Sequence, residues 1–472
     1  MFLEACQWSA AELTRRYAQG TVSPVEVVRA VLERLDQVNP ILNAVIHVDR
    51  EGSIAAARAS ETRWRNRNAL GPLDGIPLTV KDNLFVRGQP ATWGSKLYQN
   101  FVPGNDELPV ERLRAAGAVL LGKTNCPEFT LQGYTDNLLF GPTRNPWNTA
   151  LTPGGSSGGA AAAVSAGIGP VAIATDGGGS IRRPASHTGL VGLKPSRGRV
   201  PRHGGFPVIL LDFETVGPIA RAVADIITMM RVIAVPDRRD LLSAPFRDSP
   251  FELPETGCRR IAYVPQFGQS PVDPEVAQSV AATAAAWSGL GHRVEESAAP
   301  FEADALAGPW AIIGQVGLAW LLQSHPGWEQ QVTPAIREMA HNGAAVDGRE
   351  YYKALMLVRG FQAELVNFFE RFDLVLTPSA AALPWPAETA FPAEIAGQTV
   401  GPRGHAVFTG FANLAGCPAV NLPADPSGTG LPIGFQLVAA PGNDGLLCAL
   451  AAQYEAEVTG CNQPQISGTA LR

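Results

Sequence analysis

The feature that most constrains this chain is a run rich in glycine and serine between residues 152 and 195. It contains two turns. The first turn, residues 154–159, reads GGSSGG, and the second turn, residues 176–180, reads DGGGS. Glycine at this density is costly in chain entropy, so we expect it where the backbone turns sharply or approaches a ligand closely. The pattern predicts a catalytic floor, with serine hydroxyls on one turn and backbone N–H donors on the other.

Charge and composition restrict the class of protein. The 472 residues include 37 basic and 43 acidic side chains, a net charge of −6, whereas a nucleic-acid-binding protein needs a basic face that neutralises phosphates. No window has the roughly 18 apolar residues of a membrane span, and the first residues do not resemble a secretory signal. The six cysteines are scattered, without a CxxC pair. We therefore expect a cytoplasmic protein with no nucleic-acid or membrane partner.

Strand patterns alternate with helix patterns along the whole length, which predicts a single α/β domain. We expect a central mixed, mostly parallel twisted sheet flanked by helices. The predicted parts of the domain 1–472 are N-terminal helices in 1–59, a core in 60–225 and 360–472, and a helical elaboration near the substrate entrance in 230–350. The Pro- and Ala-rich residues 380–404 are predicted to form a long surface loop.

A second glycine motif is similar to a nucleotide-binding loop. Residues 117–124 fit the pattern G-x-x-x-x-G-K-T, which requires a strand before the first glycine and a helix after the Lys-Thr pair. In this chain a helix is predicted before Gly117, the intervening residues are apolar, and Pro127 follows closely. The motif therefore favours an ordinary strand over a nucleotide site.

Ser180 is the candidate nucleophile, because it follows three glycines whose unhindered N–H groups can converge on an oxygen near its hydroxyl. Its surroundings do not complete the G-x-S-x-G elbow of α/β-hydrolases. A Ser-His-Asp triad is poorly supported, since no pattern ties the nearest histidine, His187, to the role of a base. Lys81 ends a predicted apolar strand, where burial would lower its pKa. From the residues alone, Lys81 is either this base or a surface charge.

Six segments resemble the amidase signature family, in order and with the usual spacing. They are GPLDGIPLTVKDN (71–83), GKTNCPEF (122–129), GPTRNPWN (141–148), PGGSSGG (153–159), ATDGGGSIRRPA (174–185) and GLVGLKP (189–195). The later segments DLVLTPS and NLAGCPAVNLP are also similar, so the resemblance covers nearly the whole chain. Ser180 lies 24 residues after Ser156 (180 − 156), which is the family's separation between its two catalytic serines. The combination is highly specific.

The resemblance implies the amidase signature fold and a Ser-cisSer-Lys triad. Lys81 corresponds to the catalytic lysine, Ser156 to the bridging serine in a cis peptide bond, and Ser180 to the nucleophile that forms the acyl-enzyme. The resemblance further implies oxyanion donors at Gly177, Gly178, Gly179 and Ser180, and supporting residues at Ser157, Thr175, Asp176 and Arg182, of which Asp176 and Arg182 form an ion pair. No cofactor or metal is implied, in keeping with a sequence without HExxH or Cys/His ligand spacing.

Two residues depart from the family pattern. Gly177 stands where a β-branched residue is commoner, so we expect a looser oxyanion loop unless its neighbours pack it. Arg183 stands where an apolar residue is commoner. It either recognises a substrate carboxylate near the scissile bond or is a snorkelling surface arginine.

We therefore expect an amidohydrolase that converts a small-molecule amide into a carboxylic acid and ammonia or an amine. An alternative is the glutaminase-like A subunit of a tRNA-dependent amidotransferase, which would act only in a complex. A catalytically dead binding module is disfavoured, because all three triad positions are filled. The sequence leaves open which amide is the substrate and whether the chain forms a homodimer.

Overall fold

The computed structural model describes residues 3–299, 301 and 303–457 of the chain. Its α-helices are α1 (Ala10–Gln19), α2 (Pro24–Leu42), α3 (Arg50–Arg65), α4 (Leu108–Ala115), α5 (Gly158–Ser165), α6 (Arg182–Thr188), α7 (Val223–Ile233), α8 (Pro274–Gly289), α9 (Ala303–Leu322), α10 (Pro334–Ala345), α11 (Gly348–Arg371), α12 (Gly410–Leu414) and α13 (Asp444–Glu457). Residues 458–472, which the predicted domain included, and with them Cys461, lie outside the described residues.

The strands are short and mostly buried. They are β1 (Val45–Val48), β2 (Pro77–Lys81), β3 (Val119–Thr124), β4 (Val171–Asp176), β5 (Val191–Lys194), β6 (Thr215–Ala220), β7 (Arg260–Tyr263), β8 (Arg293–Glu296), β9 (Leu374–Pro378), β10 (Glu394–Ile395), β11 (Gln398–Thr399), β12 (Ala419–Pro423) and β13 (Gly434–Ala439).

Eleven of the described strands form one sheet, in the order β1-β3-β2-β4-β6-β5-β12-β13-β9-β7-β8. The expected central mixed sheet is therefore confirmed, but the expectation that it is mostly parallel is wrong. Among the described residues, six of its ten pairings are antiparallel and four are parallel. Parallel strands flank an antiparallel centre, where connections such as the one between β12 and β13 are too short for a parallel crossover.

The first helices follow from their capping residues. Ser9 Oγ accepts a hydrogen bond from the Glu12 N–H at the start of α1, and Ser23 and Glu26 form a reciprocal capping box at the start of α2. The apolar face of α2 is buried in the main hydrophobic core. Both helices lie within 1–59, where the sequence predicts N-terminal helices, and their serine caps fix where they begin.

The phosphate-loop motif is a strand, as its context predicts. Gly122 to Thr124 lie within β3, and a Cβ on Gly122 would be 1.9 Å from the His47 carbonyl oxygen on the neighbouring strand. The amine of Lys123 is buried and donates to the carbonyl oxygens of Asp82 and Pro90 at 3.1 and 3.0 Å. Its hydrogen bonds are therefore made inside the protein.

Two expectations about the second half of the chain need correction. Residues 230–350 contain helices, as expected, but also β7 and β8, which extend the sheet at one edge. Residues 380–404 are not wholly a surface loop, since Ala381 and Trp385 are buried and β10 pairs with β11. No helix in the described ranges is both long and apolar enough to cross a membrane.

The arrangement of β2 and β4 positions the site. The two strands are adjacent and parallel, and Val80 is in register with Ile173. Because parallel strands end at the same edge of a sheet, Lys81 at the end of β2 comes beside Thr175 near the end of β4. The second turn begins where β4 ends, so the sheet brings a lysine to a turn far from it in sequence.

Candidate active site

The Lys81 amine is fully buried at the end of β2. Its Nζ donates hydrogen bonds to Ser156 Oγ at 2.8 Å and to Thr175 Oγ1 at 2.9 Å. Burial lowers the pKa of Lys81 to about 8, so a useful fraction of the amine is neutral near neutral pH. Of the two interpretations that the sequence left open, the structure excludes the surface charge.

Ser156 lies in the first turn, and the peptide bond between Gly155 and Ser156 is cis. A Cβ on Gly155 would lie 2.5 Å from the Tyr134 carbonyl oxygen, so this turn has no room for a larger residue. The next residue, Ser157, ties the two turns together. Its N–H donates to the Ser180 carbonyl at 3.1 Å, and its Oγ donates to the Thr175 carbonyl at 3.1 Å.

Ser180 ends the second turn, just before α6. The side chains of Ser156 and Lys81 are completely buried, whereas Ser180 is 6% exposed. Of these three residues, Ser180 alone keeps surface that a substrate can reach. Ser180 is joined to the first turn by the hydrogen bond that its carbonyl accepts from the Ser157 N–H. In the described structure, the hydroxyls of Ser156 and Ser180 do not hydrogen-bond to each other. Such contacts are often long in the absence of substrate.

Asp176 organises the second turn. Its carboxylate pairs with the Arg182 guanidinium at 3.0 and 3.1 Å and accepts the N–H groups of Gly179 at 2.6 Å and Ile181 at 3.0 Å. Burial by itself would raise the pKa of Asp176, but Arg182 and these N–H groups hold that pKa well below its usual range. The predicted ion pair is therefore present, and its carboxylate also fixes the turn.

The same bonds divide the candidate oxyanion donors. The Gly179 N–H, which the sequence grouped with these donors, points at Asp176 and is occupied. Within the described residues, the N–H groups of Gly177, Gly178 and Ser180 donate to no other group. Gly179 is required for a different reason. Its φ is +110°, and a Cβ there would lie 2.2 Å from Thr409 Oγ1.

Arg183 neither snorkels at the surface nor lies open to a substrate carboxylate. It is 2% exposed, and its Nη1 donates to the Gly178 carbonyl at 2.6 Å and to Thr409 Oγ1 at 3.1 Å, while its Nη2 donates to the Gly155 carbonyl at 3.3 Å. These bonds clamp the second turn to the first. Both Nη atoms of Arg183 are thus engaged by the protein, and the burial of the side chain disfavours the substrate contact, which is one of the two roles that the sequence left open.

The second turn is covered by two apolar side chains. A Cβ on Gly177 would lie 2.7 Å from Leu210 Cδ1, and a Cβ on Gly178 would lie 2.8 Å from Trp310 Cζ2. Leu210 therefore fills the space that a β-branched residue at position 177 would need. The sequence predicted a looser oxyanion loop unless neighbouring residues pack it, and Leu210 does pack it. Trp310 belongs to α9, within the region expected near the substrate entrance.

Three supporting residues were not singled out from the sequence. Asn83 donates to Thr175 Oγ1 at 3.1 Å, next to the lysine contact. Asn413 donates to the backbone and carboxylate oxygens of Asp176 at 2.8 and 3.0 Å, and Thr409 donates to the Gly178 carbonyl at 2.8 Å. Asn83 and Asn413 lie within segments that resemble the family, and this was the available signal.

His187 is a core residue rather than a base. It is buried, its Nε2 lies 3.2 Å from the Ala382 carbonyl oxygen, and its ring packs edge-on against Trp385. Burial lowers the pKa of His187 to about 4. In the part of the chain that the structure describes, no group of three or more His, Cys, Asp or Glu side chains is arranged to hold a metal ion.

Comparisons with known proteins identify the family to which this chain is similar. The profile of the family described as Amidase matches residues 26–448. The chain is 34% identical to an acylamidase of Rhodococcus erythropolis over 95% of both chains. It is 37% identical to the A subunit of a glutamyl-tRNA(Gln) amidotransferase from Synechococcus sp. (strain CC9605), over 92% of this chain and 93% of that one. Among solved structures, a bacterial aryl acylamidase of the amidase signature family superposes with a TM-score of 0.87 at 29% identity, covering 95% of this chain and 96% of that one.

Proposed function

The chain belongs to the amidase family, and we propose that it hydrolyses carboxamides to a carboxylic acid and ammonia or an amine through an acyl intermediate on Ser180. The observation that carries the assignment is the 2.8 Å hydrogen bond between the buried Lys81 Nζ and Ser156 Oγ. It couples a base of lowered pKa to a serine of the first turn, beside the one triad hydroxyl that substrate can reach.

Proton transfer begins with neutral Lys81. The amine accepts the Ser156 hydroxyl proton while Ser156 takes the proton of Ser180, whose oxygen attacks the amide carbon. The tetrahedral intermediate collapses as the same relay returns a proton to the leaving nitrogen, and the C–N bond breaks. Water then adds to the acyl-enzyme, gives its proton to the relay and releases the acid with Ser180 restored.

The second turn supplies donors for the negative charge that develops on the carbonyl oxygen. We assign this role to the N–H groups of Gly177, Gly178 and Ser180, which are unoccupied in the described structure. Asp176 and Arg183 hold the turn in place from behind. Donors fixed before the reaction stabilise the transition state without reorganising during it.

A second candidate function has its own support. The similarity to an amidotransferase A subunit, at 37% identity, supports an alternative in which this chain releases ammonia from glutamine for a partner. The two functions differ in whether the chain acts alone. Hydrolysis of butanamide or pentanamide by the purified chain supports the stand-alone enzyme, whereas glutaminase activity that requires partner proteins supports the alternative.

We also propose a cytoplasmic location. Cys6, Cys126, Cys417 and Cys448 are buried and unpaired, and Cys258 is exposed and unpaired. Burial raises the pKa of Cys6 to about 11 and that of Cys417 to about 12. Free thiols of this kind support a reducing compartment.

The proposed nucleophile is tested by a matched pair of serine variants. Ser180→Ala is expected to lower kcat on butanamide by at least about 10³-fold, because no acyl-enzyme can form. Ser165→Ala is the control, since this serine lies in α5 and donates to the Thr188 carbonyl, away from the triad. Near-normal turnover by Ser180→Ala, with both variants folded by circular dichroism, would contradict the assignment.

A further inference from the structure

Arg403 lies beside the proposed oxyanion donors, although it is distant from them in sequence. A Cβ on Gly178 would be 3.4 Å from Arg403 Nη2, and one on Gly410 would be 3.9 Å from the same nitrogen. The guanidinium carbon lies 5.7 Å from the centre of the Trp310 ring, on its face. A cation at this distance is attracted by the ring, so the guanidinium is held over the second turn.

The charge of Arg403 is not balanced by the protein. Part of the Arg403 side chain is exposed to solvent. Protein atoms packed around its guanidinium nevertheless remove enough water to lower the pKa of Arg403 to about 10. Within the described residues it forms no ion pair. Arg183 is close enough for the two like charges to disfavour each other. The guanidinium thus lies against the second turn, charged and open to a ligand.

The acidic side chains around the site already form ion pairs with other basic residues. Asp176 pairs with Arg182 at 3.0 Å, Glu214 with Arg202 at 2.6 Å, and Asp82 lies 3.7 Å from Lys123 Nζ. A free guanidinium amid paired charges is a site for an anion from outside. The planar fork of arginine matches a carboxylate through two parallel hydrogen bonds.

We propose that Arg403 recognises a carboxylate on the substrate, so that the preferred substrates are amides carrying an acidic group a few carbons from the scissile bond. This inference rests on the proposed function, because it names the substrate class of the same site. Arg403 is a specificity-determining residue in this scheme, and Trp310 orients its guanidinium.

The distance between Arg403 and Ser180 limits the number of carbons between the substrate carboxylate and the scissile amide. Two residues span at most about 7 Å, so Ser180 Cα lies within about 7 Å of Gly178 Cα. The Arg403 fork is next to Gly178, and a carboxylate bound to it is therefore near the acyl carbon held at Ser180. Linear monoamides of four- and five-carbon dicarboxylic acids fit this separation.

The experiment compares acids with neutral amides of equal length, namely succinamic acid with butanamide and glutaramic acid with pentanamide. We expect the wild-type kcat/KM to be at least tenfold higher for the acid in at least one pair. Arg403→Met is expected to lower this acid-to-neutral ratio at least tenfold, and Arg403→Lys to lower it less. Arg29→Met, at an exposed arginine of α2, is the control in which the ratio stays within twofold of wild type.

Binding separates this inference from the proposed function. In Ser180→Ala protein, calorimetric titration with succinamic acid and with glutaramic acid is expected to show at least tenfold weaker binding once Arg403→Met is added. Failure of the wild type to hydrolyse any of the four amides would contradict the proposed function, while the titration still decides the role of Arg403. An acid-to-neutral ratio unchanged by Arg403→Met, or an equal loss on acids and neutral amides together with unchanged binding, would overturn the inference.

Discussion

The Lys81 amine sets the pH at which the proposed relay works. It is a base only when neutral, and burial lowers its pKa from 10.5 to about 8. On a neutral amide, kcat/KM is therefore expected to rise about tenfold per pH unit below pH 8 and to level off above it. The measurement is a pH–rate profile from pH 5.5 to 10, with circular dichroism at each pH. A flat profile between pH 6 and 9, or a rise centred near pH 10.5, would refute this role.

Arg183 is predicted to act on the shape of the site and not on the choice of substrate. Arg183→Ile removes the bonds to the Gly155 and Gly178 carbonyls. The Gly178 carbonyl keeps its bond from Thr409, but the buried Gly155 carbonyl is left unpaired, which costs roughly 1–3 kcal/mol. We expect a lower melting temperature and an equal fall in kcat/KM on succinamic acid and butanamide. A selective loss on the acid would instead return carboxylate recognition to Arg183.

At the scale of single residues, the sequence identified the reactive side chains but not the contacts that the folded chain makes with them. Lys81, Ser156 and Ser180 were selected from motifs that lie in local segments. The sequence left two roles open for Arg183 and did not indicate its bonds to both turns, because these include carbonyl oxygens of two separate turns and backbone atoms leave no sign in a sequence. Arg403 was missed because it lies 223 residues after Ser180 (403 − 180), and the fold alone brings the two regions together.

At the scale of elements, the second turn offers a test in two neighbouring glycines. Gly179 has a φ of +110°, and a Cβ there would clash with Thr409 Oγ1. A Cβ on Gly177 would come too close to the flexible end of Leu210 and would make ordinary contacts with the Glu214 side chain. Gly179→Ala is therefore expected to lose most activity and about 2 kcal/mol or more of stability, and Gly177→Ala to lose little of either.

The measurements are kcat/KM on butanamide and the free energy of unfolding in urea. Because Leu210 fills the space at position 177, Leu210→Ala is expected to improve the tolerance of Gly177→Val. If Gly177→Ala proves as damaging as Gly179→Ala, the packing described for the second turn is wrong.

The N-terminal helices and the two glycine turns were the elements best predicted, because capping residues and glycine runs act over a few neighbouring residues. The motif at 117–124, most of which lies in β3, was distinguished from a phosphate loop for the same reason, because its flanking residues decide its context. The regions 230–350 and 380–404 were less well predicted. Strands β7 and β8 join the sheet through β9, which is far from them in sequence. Trp385 is buried by residues from other parts of the chain, and the local sequence around it does not show this.

At the scale of the whole molecule, the alternation of strands and helices was enough to predict a mixed sheet but not its strand order. The order places β2 beside β4 and puts β12 and β13 between β5 and β9. The residues of a strand do not show whether its neighbour runs parallel or antiparallel to it. The sequence therefore overestimated the number of parallel pairs. The adjacency of β2 and β4 is nevertheless what delivers Lys81 to the serines.

The central claim is that the acyl group is carried by Ser180 and that Ser156 only relays protons. The most direct test is to quench the purified enzyme in acid during turnover of an aryl ester or amide, digest it, and locate the acyl group by mass spectrometry. We predict an acyl increment on the peptide containing Ser180, absent from Ser180→Ala and lost on exposure to hydroxylamine. An increment on Ser156, or turnover with no acylated serine at any quench time, would contradict the mechanism.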